Sequence, residues 1–155
     1  MEKLLSVLRH NYPELHFKPG ARCYWSPQHN TIFYGSDGSV SEAWGLLHEL
    51  GHALLGHNDY RNDLDLLQKE ILAWEEAKSL GEKYGVSIDA SYVEDCLDTY
   101  RDWLHKRSTC PRCGIKALAN DEYSYGCFNC GTTWHVSPAR HRRPYRLTKK
   151  LPHKA

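Results

Sequence analysis

The chain has 155 residues, 41% hydrophobic and 25% charged, enough for one ordinary domain or for a small domain plus a metal-stapled module, and too few for two large domains. No run approaches the roughly 18 consecutive apolar residues that would span a bilayer. The net charge of +1 conceals a division: residues 1–100 carry 8 Lys/Arg against 16 Asp/Glu, a net of −8, and residues 101–155 carry 12 against 3, a net of +9, the pattern of an acidic body with a basic arm suited to nucleic acid or another polyanion.

In chain order, Leu4, Leu5 and Leu8 stack at helical spacing and Pro13 stops that helix. This N-terminus has acid and base flanking a short apolar stripe and no small-residue cleavage site, so it reads as an amphipathic helix and not a signal peptide, and the protein is expected in the cytoplasm. Between Glu14 and Gly35 the turns Lys18-Pro19-Gly20 and Ser26-Pro27-Gln28-His29-Asn30 separate three short runs: Leu15-His16-Phe17, Ala21 to Trp25, and Thr31-Ile32-Phe33-Tyr34. They predict three strands in one small antiparallel sheet, the last of them an edge strand leading into the next helix. Ser39 with Glu42 three residues later has the form of a capping box and starts a helix at about Val40, with Gly56 as its C-cap residue. A second long helix is predicted over 63–84 with Leu64, Leu67, Ile71, Trp74 and Leu80 buried, and a third over 91–106 with Val93, Leu97, Tyr100 and Leu104 on one face.

The helix from Val40 carries HELGHALLGH, residues 48–57. Histidines at i and i+4 share one helix face about one turn apart, which suits adjacent corners of a tetrahedral zinc site. Glu49, about 100° around the helix, lies beside such a metal without binding it. In zinc hydrolases with this pattern that glutamate is the general base acting on metal-activated water. Gly51 inside the helix costs about 1 kcal/mol relative to alanine, which points to another backbone or a metal ligand coming close there. A third protein ligand is needed, and the candidates are His57 and a glutamate of the following helix. His57 follows His48 by nine residues, one short of the metzincin spacing, and fits a cap, a group behind a ligand or an exposed side chain better than a ligand. In KEILAWEEAKSL, residues 69–80, Glu70 lies at the edge of the buried stripe, whereas Glu75 and Glu76 lie away from its centre.

HELGHALLGH followed by a helix of the form Glu-x-x-Ala-x-x-x-Ala resembles the ImmA/IrrE family of metallopeptidases, minigluzincin-type HExxH zinc proteases. The resemblance covers roughly residues 30–80 and implies His48, His52 and Glu70 as zinc ligands, with Ala73 and Ala77 matching the family's alanines. Trp74 departs from it, standing where that family has Asn or Asp.

After Ser108 the chain changes character. CPRCG, residues 110–114, and CFNCG, residues 127–131, are two Cys-x-x-Cys-Gly knuckles. Such knuckles bring four thiolates, Cys110, Cys113, Cys127 and Cys130, around one structural zinc, and Cys23 and Cys96 are left without obvious mates. The basic tail RHRRPYRLTKK, residues 140–150, offers Arg140, Arg142, Arg143, Arg146, Lys149 and Lys150 to phosphates and Tyr145 to a base. A HExxH domain followed by a zinc ribbon is similar in module order to the SprT-like proteases, which take their third ligand from a later histidine.

The expected architecture is α+β: a gluzincin-like metallopeptidase domain over 1–107, a four-cysteine zinc ribbon over 108–137 and a basic tail over 138–155. The expected function is a zinc-dependent endopeptidase acting on a protein or peptide substrate, with one catalytic and one structural Zn²⁺, Glu49 as base, no membrane partner, and recruitment to nucleic acid by ribbon and tail. The rival is a nucleic-acid-binding or regulatory zinc protein whose first site is structural or inactive. A metal-dependent hydrolase of small molecules is less favoured, because a sheet before the helix suits an extended peptide.

Overall fold

The computed structural model describes residues 1–35 and 38–137 and the backbone of 147–148. It is α+β, with four α-helices and two three-stranded sheets among the described residues. No helix among them is long and apolar enough to cross a membrane. The chain divides into two compact units, Met1–Asp59 with Gln68–Glu94, and Tyr60–Leu67 with Asp95–Ala155. Residues 95–107 therefore group with the cysteine-rich segment, not with the 1–107 segment expected from the sequence.

In the first unit, helix α1 (Glu2–Asn11) buries Leu5 and Leu8. The strands β1 (His16–Pro19), β2 (Tyr24–Ser26) and β3 (Thr31–Tyr34) follow, the last two joined through a short 3-10 turn at Pro27–His29. Their order is β1-β3-β2, with β1 parallel and β2 antiparallel to β3. Two expectations are corrected here: the sheet is mixed, and β3 is its central strand, so the edge beside the next helix is β2. The tight turn after β2 fixes the antiparallel pair, which leaves only the far side of β3 for β1. Phe17, Ile32 and Trp25 are opposite one another across the three strands and therefore share one face of the sheet. Ile32 is fully buried on that face and Phe17 nearly so.

Helix α2 (Val40–Leu54) starts as expected, but the capping box does not form in the expected way. The Ser39 hydroxyl pairs with that of Ser41, and Glu42 reaches back past Ser39 to accept from the Gly38 N–H at 2.9 Å. The other end closes as a Schellman motif: the Gly56 N–H donates to the Ala53 carbonyl, the His57 N–H donates to the His52 carbonyl, and Gly56 takes φ +66°.

Helix α3 (Asp63–Tyr84) has its expected ends but a different buried stripe. Glu70, Ala73, Trp74, Ala77, Leu80 and Gly81 are buried, Leu67 and Ile71 are half-buried, and Leu64 is exposed. The cause is Gly51. A Cβ there would stand 2.7 Å from the Ala73 carbonyl oxygen, so the missing side chain lets the backbones of α2 and α3 meet. The small residue Ala73 then lies against α2 at Gly51, and Ala77 is buried one turn further on.

Helix α4 (Ala90–Ser108) buries Val93 and Leu97 as expected, and also Trp103 and Arg107. In the second unit β4 (Ser124–Gly126), β5 (Thr133–His135) and β6 (Leu147–Thr148) form an antiparallel sheet in that order. Tyr125 and Trp134 stack in its core with ring centroids 5.3 Å apart. Behind them Arg107 grips Asp63 through Nε at 2.6 Å and Nη2 at 3.1 Å, and each residue is only 1% exposed. The Tyr125 hydroxyl donates to the same carboxylate. Arg107 also donates to the carbonyls of Glu122 and Ser137, and the Trp134 indole donates to the Arg107 carbonyl.

Two substitutions test these packing arguments. Gly51→Ala is expected to destabilise by about 1–3 kcal/mol through overpacking, although alanine gains about 1 kcal/mol in helix propensity; an unchanged or raised urea midpoint would refute the close approach. Asp63→Ala leaves a buried guanidinium without its counter-ion and is expected to cost about 3–5 kcal/mol, measured the same way.

Candidate metal centres

Two clusters of ligand atoms stand out among the described residues: His48, His52 and Glu70 in the first unit, and Cys110, Cys113, Cys127 and Cys130 in the second. Within each, the donor atoms lie within 4.8 Å of one another.

The first cluster is assembled by the contact at Gly51. One helical turn of α2 aligns His48 and His52, whose Nε2 atoms lie 3.1 Å apart. Helix α3 then brings Glu70, with Oε2 3.2 Å from His48 Nε2 and Oε1 3.6 Å from His52 Nε2. Donors bonded at about 2.0–2.1 Å to a tetrahedral ion lie about 3.3 Å apart, close to the spacing of the two imidazole nitrogens and of each from its nearer Glu70 oxygen, so the cluster is of a size to hold one metal ion. A cation shared by the two imidazoles and the carboxylate, which is 6% exposed, would neutralise the site, whereas two imidazolium rings at 3.1 Å would repel. Burial pushes the Glu70 carboxyl up, but hydrogen bonds with His48 and His52 outweigh it and hold the carboxyl well below the usual carboxylate range.

Each ligand ring has its own support. His52 Nδ1 lies 2.9 Å from His57 Nδ1, because the Schellman turn folds residue 57 back over the last turn of α2. His57 is therefore outside the ligand set and behind one of its members. His48 has no comparable partner among the described residues: its Nδ1 is buried without a hydrogen bond, and its ring is fixed by stacking on Trp74 at 4.2 Å and 24°. At the position where a hydrogen-bonding side chain was expected, an aromatic face orients the ring instead. Trp74 in turn meets Tyr92 edge-on, and Tyr92 meets Trp44. Glu75 is exposed, as its place away from the stripe suggests, whereas Glu76 is half-buried; neither belongs to the cluster.

Glu49 lies outside the ligand cluster. Its Oε2 accepts a hydrogen bond from the Trp25 N–H at 2.7 Å, so the backbone of edge strand β2 holds the carboxylate that sequence reasoning singled out as a base. Trp25 also donates from its indole Nε1 to the His57 carbonyl at 3.1 Å. Nothing in the sequence marks Trp25 for the site; the signal that could have found it is its place opposite Ile32, which is visible only once β3 is known to be central.

The second cluster is local. Gly114 and Gly131 take φ +75° and +69°. In the first knuckle the Gly114 N–H donates to the Cys110 carbonyl and the Cys110 N–H to that of Ile115; the second repeats this with Gly131, Cys127 and Thr132. Cys110 and Cys130 sulfurs are 3.6 Å apart, those of Cys113 and Cys127 3.5 Å, close to the roughly 3.8 Å edge of a tetrahedral thiolate site. Hydrogen bonds with Thr132 bring the Cys130 thiol down to about 6. With four thiolates such a centre has no open position. The nucleic-acid residues expected in the tail, Arg140, Arg142, Arg143, Arg146, Lys149 and Lys150, lie outside the described residues.

Comparison of the chain with family models, with curated proteins and with solved structures finds no match.

The geometry predicts two metal ions per chain by elemental analysis. Glu70→Ala or His52→Ala should leave one, and Glu49→Gln should leave two. One ion in the unmodified protein would refute the first centre.

Proposed function

We propose that the chain is a zinc-dependent endopeptidase of the minigluzincin, ImmA/IrrE-like type. The observation that carries this reading is the meeting of His48, His52 and Glu70 from two helices, with Glu49 adjacent but outside the ligand set. Three protein donors leave one of four tetrahedral positions open, the arrangement of catalytic and not of structural zinc. Zinc held there would supply Lewis-acid activation of a water and of the scissile carbonyl.

The protein's own groups account for the rest. The Glu49 carboxylate takes the proton from the attacking water at one oxygen and passes it to the leaving amine, while the Trp25 N–H fixes its other oxygen. Strand β2 is the edge strand beside Glu49, and an extended substrate adding to it as a further strand would share that edge with the Glu49 carboxylate on the Trp25 N–H. The cysteine cluster would hold a structural zinc in a ribbon. On that ribbon Phe128 is 81% exposed and offers a stacking surface, which together with the basic tail supports recruitment of the substrate on nucleic acid. Thiols kept for metal suit a reducing compartment such as the cytoplasm.

One observation favours the alternative, a nucleic-acid-binding or regulatory zinc protein with a structural or inactive first site: Glu49 is already engaged by the Trp25 N–H. Cleavage of a protein library by the parent and by Glu49→Gln, both holding two zinc ions and assayed with and without DNA, decides between them. Loss of cleavage in Glu49→Gln by about a hundredfold or more is expected. Cleavage by neither protein would favour the alternative, and equal cleavage by both would exclude Glu49 as the base.

A further inference from the structure

We infer that Trp25 is a positioning residue for the first metal centre, acting on His52 through His57. The inference rests on the reading of His48, His52 and Glu70 as a metal site, and holds whether that site is catalytic or structural.

The chain of contacts starts on the sheet. Trp25 is held opposite Ile32 by the β2–β3 register, and Ile32 is fully buried, so the Trp25 ring is directed along a fixed face. Its indole Nε1 donates to the His57 carbonyl at 3.1 Å. That carbonyl follows the Schellman turn, whose conformation is set by Gly56 at φ +66° and by the His57 N–H on the His52 carbonyl. The turn by itself fixes the backbone of His57 from one side; the indole holds it from the other. With the backbone of residue 57 held at both its N–H and its carbonyl, the imidazole is delivered to His52, Nδ1 to Nδ1 at 2.9 Å.

The chemistry of that contact sets a requirement. When His52 binds metal through Nε2, its Nδ1 carries the proton and donates, so His57 Nδ1 must accept and its own hydrogen sits on Nε2. The pair is then the arrangement in which a ligand imidazole gives its other N–H to a partner that fixes its tautomer and raises its basicity. Among the described residues the His48 Nδ1 has no hydrogen-bond partner, and its ring lies on the face of Trp74. Orientation of the metal by hydrogen bonding therefore falls on the His52 side, and Trp25 is the far anchor of that arm. The same residue holds Glu49 through its backbone N–H, which side-chain replacement leaves in place.

The test uses the full chain with zinc and removes the indole donor two ways: Trp25→Phe, and benzothienylalanine at position 25, which keeps the bicycle and replaces only the N–H by sulfur. Zinc affinity of the first centre is measured by competition with a chelator, the cysteine cluster serving as internal control. Affinity should fall about ten- to a hundredfold in both variants and in His57→Ala. The double variant Trp25→Phe/His57→Ala should lose no more than His57→Ala alone, since both act through one arm. In ¹⁵N spectra of the zinc-loaded protein the His52 Nδ1–H resonance should shift with the benzothienyl replacement, a change that loss of general packing would not produce. First-centre affinity within twofold of the parent in the benzothienyl variant, or losses that multiply in the double variant, would overturn the inference. A parent protein with no zinc bound by His48, His52 and Glu70 would overturn the metal-site reading itself, and that result is separate.

Discussion

The approach of two helix backbones at Gly51 and Ala73 is the constraint on which the first unit depends. A residue with a Cβ at 51 would meet the Ala73 carbonyl at 2.7 Å, so α2 and α3 could not lie as they do. Their closeness has two results. It buries Ala73 against Gly51, and it sets Glu70, one turn before Ala73, opposite His48 and His52. A buried carboxylate is costly to hold without compensation. The packing that excludes water from Glu70 is the same packing that brings it the two imidazoles.

The two ligand clusters are built by opposite strategies. The cysteine cluster is local in each half: a Cys-x-x-Cys-Gly knuckle bends its own backbone, closes its own hydrogen bonds and needs only a hairpin to meet its partner. The His48, His52 and Glu70 cluster is two-thirds local and one-third distant, and its precision comes from groups around the ligands. One imidazole leans on Trp74 and the other on His57, so the two histidines of a symmetrical-looking motif sit in unlike surroundings. Glu49 beside them is held by a strand amide and not by a side chain.

The second unit has its own organising contact, the pair of Asp63 and Arg107. Both charges are buried, and the guanidinium and carboxylate satisfy each other along with Tyr125 and the carbonyls of Glu122 and Ser137. Such a pair is weak evidence of net stability, since well-packed apolar residues can do as well. Its geometry nevertheless specifies one arrangement of the chain around the Tyr125–Trp134 core, because the carboxylate, the hydroxyl and the two carbonyls come from three separate segments, at Asp63, at Glu122 and Tyr125, and at Ser137. No spacing in the sequence links Asp63, Arg107 and Tyr125, which are separated by 44 and 18 positions.

What the sequence determined by itself is what short-range chemistry determines. Helical periodicity and turn residues locate the helices and strands, the bounds of α3 among them. The i, i+4 rule puts His48 and His52 on one face, and glycine after each Cys-x-x-Cys marks the knuckles. Gly51 is legible as a close approach because glycine inside a helix is unfavourable unless something needs the space. The tertiary structure decided the rest: that β3 is central and β2 the edge, that the buried stripe of α3 runs through Glu70 and Ala73 and leaves Leu64 out, that Trp74 supports a ligand by stacking, and that Trp25 reaches both Glu49 and the His57 turn. Each of these depends on which surfaces meet, and periodicity along one segment carries no information about the partner against which that segment will pack.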